Sequence, residues 1–266
     1  MKDFPFLSDS DLSAYLKRIG YRGDLSPTLP VLEAIHLAHA THIPFENLDI
    51  LSGRSIRIDL SSIVDKLVRR KRGGYCFEQN LLLYAVLRKL GFEVTPLAAR
   101  VRYRTEQMRP RTHMLLKVAI DGVSWLTDVG FGAEGLMRPL RLAPDEPARQ
   151  FAWTYRLVDE NEHWVLQSHR EGSWIDLYAF SLEPQEWIDY HMANYYTSTH
   201  PDSMFVQILI AQHTQPEARR FLRNYELITD DGQTVSSRTL VDDGELLKVL
   251  DQVFGLAFPP GTRFRI

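Results

Sequence analysis

The chain has 266 residues, 44% of them hydrophobic and 24% charged, with a formal net charge of −3. That is enough apolar material for one large core or several smaller ones, and the slight negative charge argues against a protein held on nucleic acid by phosphate attraction. A single cysteine excludes a disulfide within the chain and fits a reducing cytoplasm. The opening Met1-Lys2-Asp3-Phe4-Pro5-Phe6 lacks the apolar core of a signal peptide. The longest unbroken apolar run, Leu81 to Leu87, is about seven residues, far short of a membrane span. A soluble cytoplasmic protein is expected.

Residues 1–91 read as helical. Ser8-Asp9-Ser10-Asp11 offers capping oxygens ahead of Leu12, Tyr15, Leu16 and Ile19, which recur at helical spacing. Pro27 and Pro30 precede a second helix with Leu32, Ile35, Leu37 and Ala38, ending before Ile43-Pro44-Phe45-Glu46-Asn47-Leu48-Asp49. His36, His39 and His42 fall on that helix but spread over roughly 200°, too wide for one metal ion. No other group has metal-ligand spacing, and no phosphate-binding glycine loop is present. Ser61 to Arg70 reads as a third helix.

It leads to Arg72-Gly73-Gly74-Tyr75-Cys76-Phe77-Glu78-Gln79-Asn80, which holds the cysteine. The run from Phe77 to Leu90 is rich in helix formers and closes on Arg88, Lys89 and Gly91. Cys76 is therefore expected where a glycine-flexed loop enters a helix. Unpaired N–H groups and the helix dipole favour an anion there, so a thiol so placed tends towards thiolate. Lys66, Arg69, Arg70, Lys71 and Arg72 would push the same way. A small buried core thiol is the plainer alternative.

After Gly91 the pattern becomes β-rich. Phe92 to Tyr103 is followed by a polar loop, Arg104 to Arg111, and then by Thr112 to Ile120. Asp121-Gly122 is a hairpin signal ahead of Val123 to Gly130. Further strands are expected at Phe151–Val158, His163–His169 and Trp174–Phe180, a spacing that suits an antiparallel sheet curled into a small barrel. From Pro184 the pattern mixes: Trp187-Ile188-Asp189-Tyr190, a polar Asn194-to-Pro201 segment and an apolar Phe205–Ala211 stretch. A strand at Arg220–Ile228, a turn at Asp230-Asp231-Gly232, and a last helix from Asp242 to Phe254 complete the chain.

The hairpin carries a geometric argument. With Asp121-Gly122 as a two-residue turn, Ile120 faces Val123 and Asp128 falls opposite Leu115. Alternation then puts His113 and Asp128 on one face as diagonal neighbours, with Cα atoms roughly 7–8 Å apart. A slip of one residue would separate them. Together with Cys76 they compose a nucleophilic triad on paper, with Asp128 orienting His113 and His113 holding the thiolate. Spacing alone does not show that Cys76 approaches His113.

With these residues in view, the sequence closely resembles the arylamine N-acetyltransferases. The likeness runs through Ile43-Pro44-Phe45-Glu46-Asn47-Leu48-Asp49, Arg72 to Glu78 with Asn80, Thr112-His113, Asp128-Val129-Gly130-Phe131-Gly132 and Asn194 to Pro201. The family's Cys–His–Asp triad matches Cys76, His113 and Asp128. The resemblance implies an α+β fold with a cysteine-protease-like core: a helical N-terminal domain (1–91), an antiparallel β-barrel (92–199) and an α/β lid (200–266). It implies ping-pong transfer of acetyl from acetyl-CoA through acetyl-Cys76 to aromatic amines or hydrazines. Acetyl-CoA is then a co-substrate, with no permanently bound cofactor and no metal. Phe45, Tyr75 and Phe131 are the candidates for a flat acceptor pocket. Thr112, Thr197, Ser198, Thr199 and Phe205 are the candidates for acetyl-CoA contacts, with Thr197-Ser198-Thr199-His200 as a pyrophosphate loop. The backbone N–H groups of Cys76 and Thr112 are oxyanion candidates. The chain closes at Phe258–Ile266 without a further C-terminal helix expected of many bacterial members, which bears on how a lid closes over coenzyme A. A cysteine peptidase or transglutaminase-like enzyme, or a non-catalytic acyl-CoA binder, are the competing readings.

Overall fold

The structure is a computed structural model and describes residues 6–132 and 134–266. The stretch Met1–Phe6, read as lacking the apolar core of a signal peptide, lies, apart from Phe6, outside the described residues.

The first helix, α1 (Asp9–Arg18), begins at Ser8, whose Oγ accepts from the N–H of Asp11 at 3.1 Å. Asp9 and Asp11 in its first turn and Lys17 and Arg18 in its last complement the dipole. Helix α2 (Leu29–His42) turns its three histidines in different directions. His39 is buried between the hydroxyl of Tyr15 and Gln79, His36 reaches the backbone of Asp128, and His42 is exposed. A two-residue strand β1 (Phe45–Glu46) and a single turn α3 (Leu48–Leu51) follow.

The expected third helix is a short α4 (Leu60–Ile63) that widens into a π-helix, Val64–Arg69. The wider turn accompanies the burial of Lys66, whose ammonium lies 2.8 Å from Glu78 and 3.0 Å from Asp49. Arg72 completes this cluster, donating to Glu46 from Nε at 3.0 Å and from Nη2 at 2.6 Å, and lying 3.2 Å from Asp49. This corrects the expectation that the basic run upstream of Cys76 acts on the thiol. Lys66 and Arg72 are spent on Glu46, Asp49 and Glu78, Arg69 pairs with Asp11, and Arg70 with Asp65. Burial would lower the pKa of Lys66, but the three carboxylates reverse this and raise it.

Helix α5 (Cys76–Lys89) is buried along nearly its whole length and anchors the first core. Strands β2 (Glu93–Val101), β3 (Arg111–Ile120), β4 (Val123–Thr127), β5 (Leu140–Arg141), β6 (Ala148–Gln150), β7 (Trp153–Glu160), β8 (His163–Arg170) and β9 (Ser173–Phe180) form one antiparallel sheet. Its order, β5-β4-β3-β2-β9-β8-β7-β6, curls into a nearly closed barrel. The strand expected at Phe151–Val158 starts two residues later, at Trp153, because Phe151 takes φ +59° in the turn between β6 and β7. Alternation along β3 joins two cores. Met114, Leu116, Val118 and Ile120 face the helices, whereas Leu115 faces the barrel interior.

The segment after Pro184 departs furthest from expectation. Trp187–Thr199 is one continuous helix, α6, and not a polar loop. Its low intrinsic propensity is overridden by tertiary bonds: Tyr190 donates to the carbonyl of Leu97 at 2.9 Å, and Asn194 to that of Ile56 at 3.1 Å. A turn α7 (Met204–Gln207) leads to a second sheet with β10 (Ile210–Thr214), β11 (Arg219–Arg223), β12 (Glu226–Asp230) and β13 (Val235–Thr239), in the order β1-β10-β11-β12-β13. The strand read at Arg220–Ile228 is therefore a hairpin, turned at Asn224 with φ +51°. Helix α8 (Asp243–Phe254) is capped by Asp242 and ends at the left-handed Gly255. The final residues fold back, so that Phe258 lies under the guanidinium of Arg72 at 4.7 Å and Arg265 donates to the carbonyl of Leu51.

Removing Arg72 leaves Glu46 buried without its closest counter-charge. Arg72→Met is expected to cost about 3–5 kcal/mol, read as a lowered urea midpoint, because a lone buried carboxylate is the expensive remainder of a broken pair.

Candidate active site

Cys76 is the first residue of α5, with extended Tyr75 before it. Glu78 folds back to accept the N–H of Tyr75 at 3.1 Å, closing the helix start. The two preceding glycines serve close approach and not backbone freedom, since neither has a positive φ. A Cβ on Gly73 would lie 2.1 Å from the carbonyl oxygen of Pro44. From the far side, Gly130 presses on the same helix start, where a Cβ would stand 2.8 Å from Cα of Cys76.

The hairpin register is as expected: Ile120 pairs with Val123 and Leu116 with Thr127. Beyond the last rung, His113 Nε2 and Asp128 Oδ2 meet at 2.7 Å. That bond leaves Nδ1 for Cys76, whose side chain is close enough to raise the pKa of the ring. The structure thus brings Cys76, His113 and Asp128 together, all of them buried. On the β2 side of β3 the ladder skips Thr112, because Ala99 pairs with His113 and Arg100 with Arg111. The bulge directs the carbonyl of Thr112 to Sγ of Cys76 at 3.5 Å.

Asp128 is fully buried, and its carboxylate accepts four bonds. His113 and the Tyr178 hydroxyl (2.9 Å) serve Oδ2, and Asn80 Nδ2 (2.9 Å) and the N–H of Gly130 (2.9 Å) serve Oδ1. Burial alone would raise its pKa; His113, Asn80 and Gly130 outweigh that and hold it below the usual value. For His113 burial opposes the charged ring, but Asp128 and Cys76 raise its pKa from 6.5 to about 10. The imidazole is accordingly held as a cation against the sulfur at neutral pH.

Three contributors escaped the sequence reading of the triad. Asn80 clamps the loop from both ends of its amide, accepting from the N–H of Val129 while donating to Asp128 and the carbonyl of Met114. Tyr178 comes from β9, and its ring also stands 4.8 Å from that of His113. His36 accepts the backbone N–H of Asp128 at 3.2 Å. Asn80 had a signal, lying one helical turn past Cys76 on α5. Tyr178 and His36 had none.

The other candidates divide. Phe131 stacks edge-on to His113 at 5.2 Å between centroids. Phe45 lines a small cavity of about 20 Å³ with Phe131, Gln79, Gln212 and Thr214. Tyr75, by contrast, is fully buried, with its hydroxyl bonded to Asn194 and its ring against Phe77 and Phe205. It packs behind Cys76 with no exposed surface. Thr197, Ser198 and Thr199 are helical, and their hydroxyls are spent on the carbonyls of Ala193, Asn194 and Tyr195. Phe205 bridges Phe45 and Tyr75. Among the described residues no cluster of three or more His, Cys, Asp or Glu could hold a metal ion, and no helix is long and apolar enough to cross a membrane.

A thiol at a helix start, facing an imidazole that a buried carboxylate orients, belongs to the class of cysteine enzymes that form acyl-thioesters. Comparison with known proteins gives the family. The sequence profile of the N-acetyltransferase family matches residues 28–261. An arylamine N-acetyltransferase of Escherichia coli is 39% identical over 248 residues, covering 92% of this chain and 88% of that protein. The solved structure of the Salmonella typhimurium arylamine N-acetyltransferase superposes with a TM-score of 0.90 at 34% identity, covering 97% of this chain and 95% of that one. A Mycobacterium marinum arylamine N-acetyltransferase solved in complex with CoA gives 0.88 at 36% identity, with 92% of both chains covered. The chain belongs to the arylamine N-acetyltransferase family and is an acyltransferase.

The raised His113 value has a consequence for stability. A histidine titrates near 6.5 when unfolded and at about 10 here, so the pair contributes fully below pH 6.5 and progressively less as pH rises towards 10. Unfolding free energy is expected to decline across that window, and His113→Gln to lack that component of the slope, both read by urea titration at a series of pH values.

Proposed function

We propose that Cys76 carries an acetyl group from acetyl-CoA to the nitrogen of an aromatic amine or hydrazine. The observation that carries this reading is the contact of the Cys76 thiol with a His113 ring held at 2.7 Å by buried Asp128. In the first half-reaction the sulfur attacks the thioester carbonyl, and the CoA thiolate leaves with the proton of the His113 imidazolium. One thioester replaces another, so the step is nearly isoenergetic. In the second half-reaction the amine attacks acetyl-Cys76 and neutral His113 accepts its proton. Collapse expels the Cys76 thiolate and restores the starting ion pair. Asp128 keeps Nε2 protonated and so presents Nδ1 to the reacting atoms. The N–H of Cys76 is the proposed oxyanion donor, with that of Thr112 on its bulge as the second.

Phe131 and Phe45 are the proposed acceptor-binding aromatics, since Phe131 already stands against His113. For acetyl-CoA, Thr112 follows Arg111 at a cavity of about 420 Å³ that is lined by Arg100, Arg102, Arg109 and Arg111. Arg102 and Arg111 are in ion pairs, whereas Arg109 has none among the described residues. We place the CoA phosphates here in preference to the hydroxyls of α6. The proposed units 1–91, 92–199 and 200–266 put the nucleophile on one and its partners on the next, although the first core takes in Met114, Leu116 and Val118 from β3. An active thiolate suits the reducing cytoplasm, where we place the reaction.

Mixing the protein with acetyl-CoA and no acceptor is expected to add one acetyl group to its intact mass. The increment should be absent in Cys76→Ala and should disappear on adding an aromatic amine; its absence in the unaltered protein would overturn the mechanism. Asp128→Asn is expected to slow turnover by roughly a thousandfold or more, by presenting the wrong tautomer of His113. Arg109→Ala should raise KM for acetyl-CoA several-fold and leave the acceptor KM unchanged, measured in steady-state assays.

A further inference from the structure

The turn that follows Asp128 is held from outside by a buried relay of charges. Glu134 is only 4% exposed. Its Oε2 accepts from Ser168 Oγ at 2.5 Å and from Arg170 Nε at 3.0 Å, and Oε1 accepts from the Tyr103 hydroxyl at 3.4 Å. The other edge of Arg170 donates from Nη2 to Asp230 Oδ2 at 2.5 Å. Asp230 ends β12 in the second sheet, where it also accepts from Gly232 and from Trp153. The next residue of the turn is tied as well: the carbonyl of Gly135 accepts from Tyr155 and from Arg219 of β11, both at 3.0 Å. Arg219 is fully buried and lies over the ring of Trp153 at 4.0 Å. Two arginines and two carboxylates thus join the second sheet, the barrel strand β8 and the Glu134–Gly135 turn.

Phe131 stands three residues before Glu134 and meets one of its partners: its ring is edge-on to that of Tyr103 at 6.4 Å, and also to that of Tyr178, outside the relay, at 5.1 Å. None of the relay residues contacts Cys76, His113 or Asp128 in the bonds described above.

We propose that Arg170, bridging Asp230 and Glu134, is a positioning residue for acceptor capture, through which the second sheet holds the Phe131 turn against His113. The inference rests on the reading of Phe131 as an acceptor contact. A bidentate guanidinium between two buried carboxylates fixes both distance and direction. Such support is felt at the step that needs Phe131 in place. Acetylation of Cys76 by acetyl-CoA does not need it; capture of the arylamine does.

The test separates the two half-reactions. Acetyl-enzyme formation is followed by intact mass with acetyl-CoA alone, and its discharge by rapid mixing with increasing 4-methoxyaniline. Arg170→Met and Glu134→Gln are expected to raise the half-saturating amine concentration about tenfold while acetylation changes less than about twofold, the scale of a small displacement of a positioned group. Arg170→Lys should recover part of the loss. The double variant should be little worse than either single one, because both cut the same link. Glu134→Gln keeps the size of the side chain and the Ser168 bond, so it serves if Arg170→Met does not fold. Equal losses in both half-reactions, or none in discharge, would overturn the proposal. Phe131→Ala is the control: if it leaves amine half-saturation unchanged, the acceptor reading itself falls, whatever the Arg170 variants do.

Discussion

The site depends on one buried carboxylate. Asp128 has no exposure to water, and a charge so placed survives only if the protein supplies its solvation. Four donors do so, from β3, β9, α5 and the loop of Asp128 itself. Each donor ties a separate element to the same two oxygens. The helical core, the barrel strands and the loop bearing Phe131 therefore meet at a point set by hydrogen-bond length. The His113 ring is held by the same constraint, since one of its nitrogens is committed to Asp128 and the other is left to face the sulfur.

A second set of buried charges sits behind Cys76. Glu46, Asp49 and Glu78 surround Lys66 and Arg72, and bind the corner after α2 to the loop that enters α5. Burial raises the pKa of Glu78, and Lys66 opposes that shift. Glu78 therefore links the ion cluster to the helix start through the N–H of Tyr75. These charges hold the turn that presents Cys76. The returning tail rests on the same cluster, with Phe258 over Arg72. Interactions far apart in sequence thus converge on the two sides of α5, with ionic support behind the thiol and the triad in front.

Legibility followed the range of the interactions. The helix start at Cys76, the Asp242 cap of α8 and the Asp121-Gly122 hairpin are local, and each is placed by residues within a few positions of one another. The hairpin register carried His113 and Asp128 to one face by counting alone. Local signals failed where distant partners decided. Residues 194–199 have weak helix propensity and read as a polar loop, but α6 is held by Leu97 and Ile56. The hairpin at Asn224 lacks the usual glycine, so two strands read as one. The basic run before Cys76 looked like an electrostatic aid because its carboxylate partners, Glu46 and Asp49, lie over twenty residues upstream of Arg72.

By itself the sequence determined the chemistry available: one thiol at a helix entrance, a histidine and an aspartate in hairpin register, and motifs that resemble one acetyltransferase family. Only the tertiary structure decided that the thiol meets the histidine, and which groups hold the aspartate. It also showed that Tyr75 is fully buried, and that the hydroxyls of Thr197, Ser198 and Thr199 are already spent. The physical reason is the reach of each interaction. Caps, turns and strand alternation act over a few residues and are written in local order. The solvation of a buried charge is gathered from side chains as far apart as Asn80 and Tyr178, and exists only once the chain has closed around it.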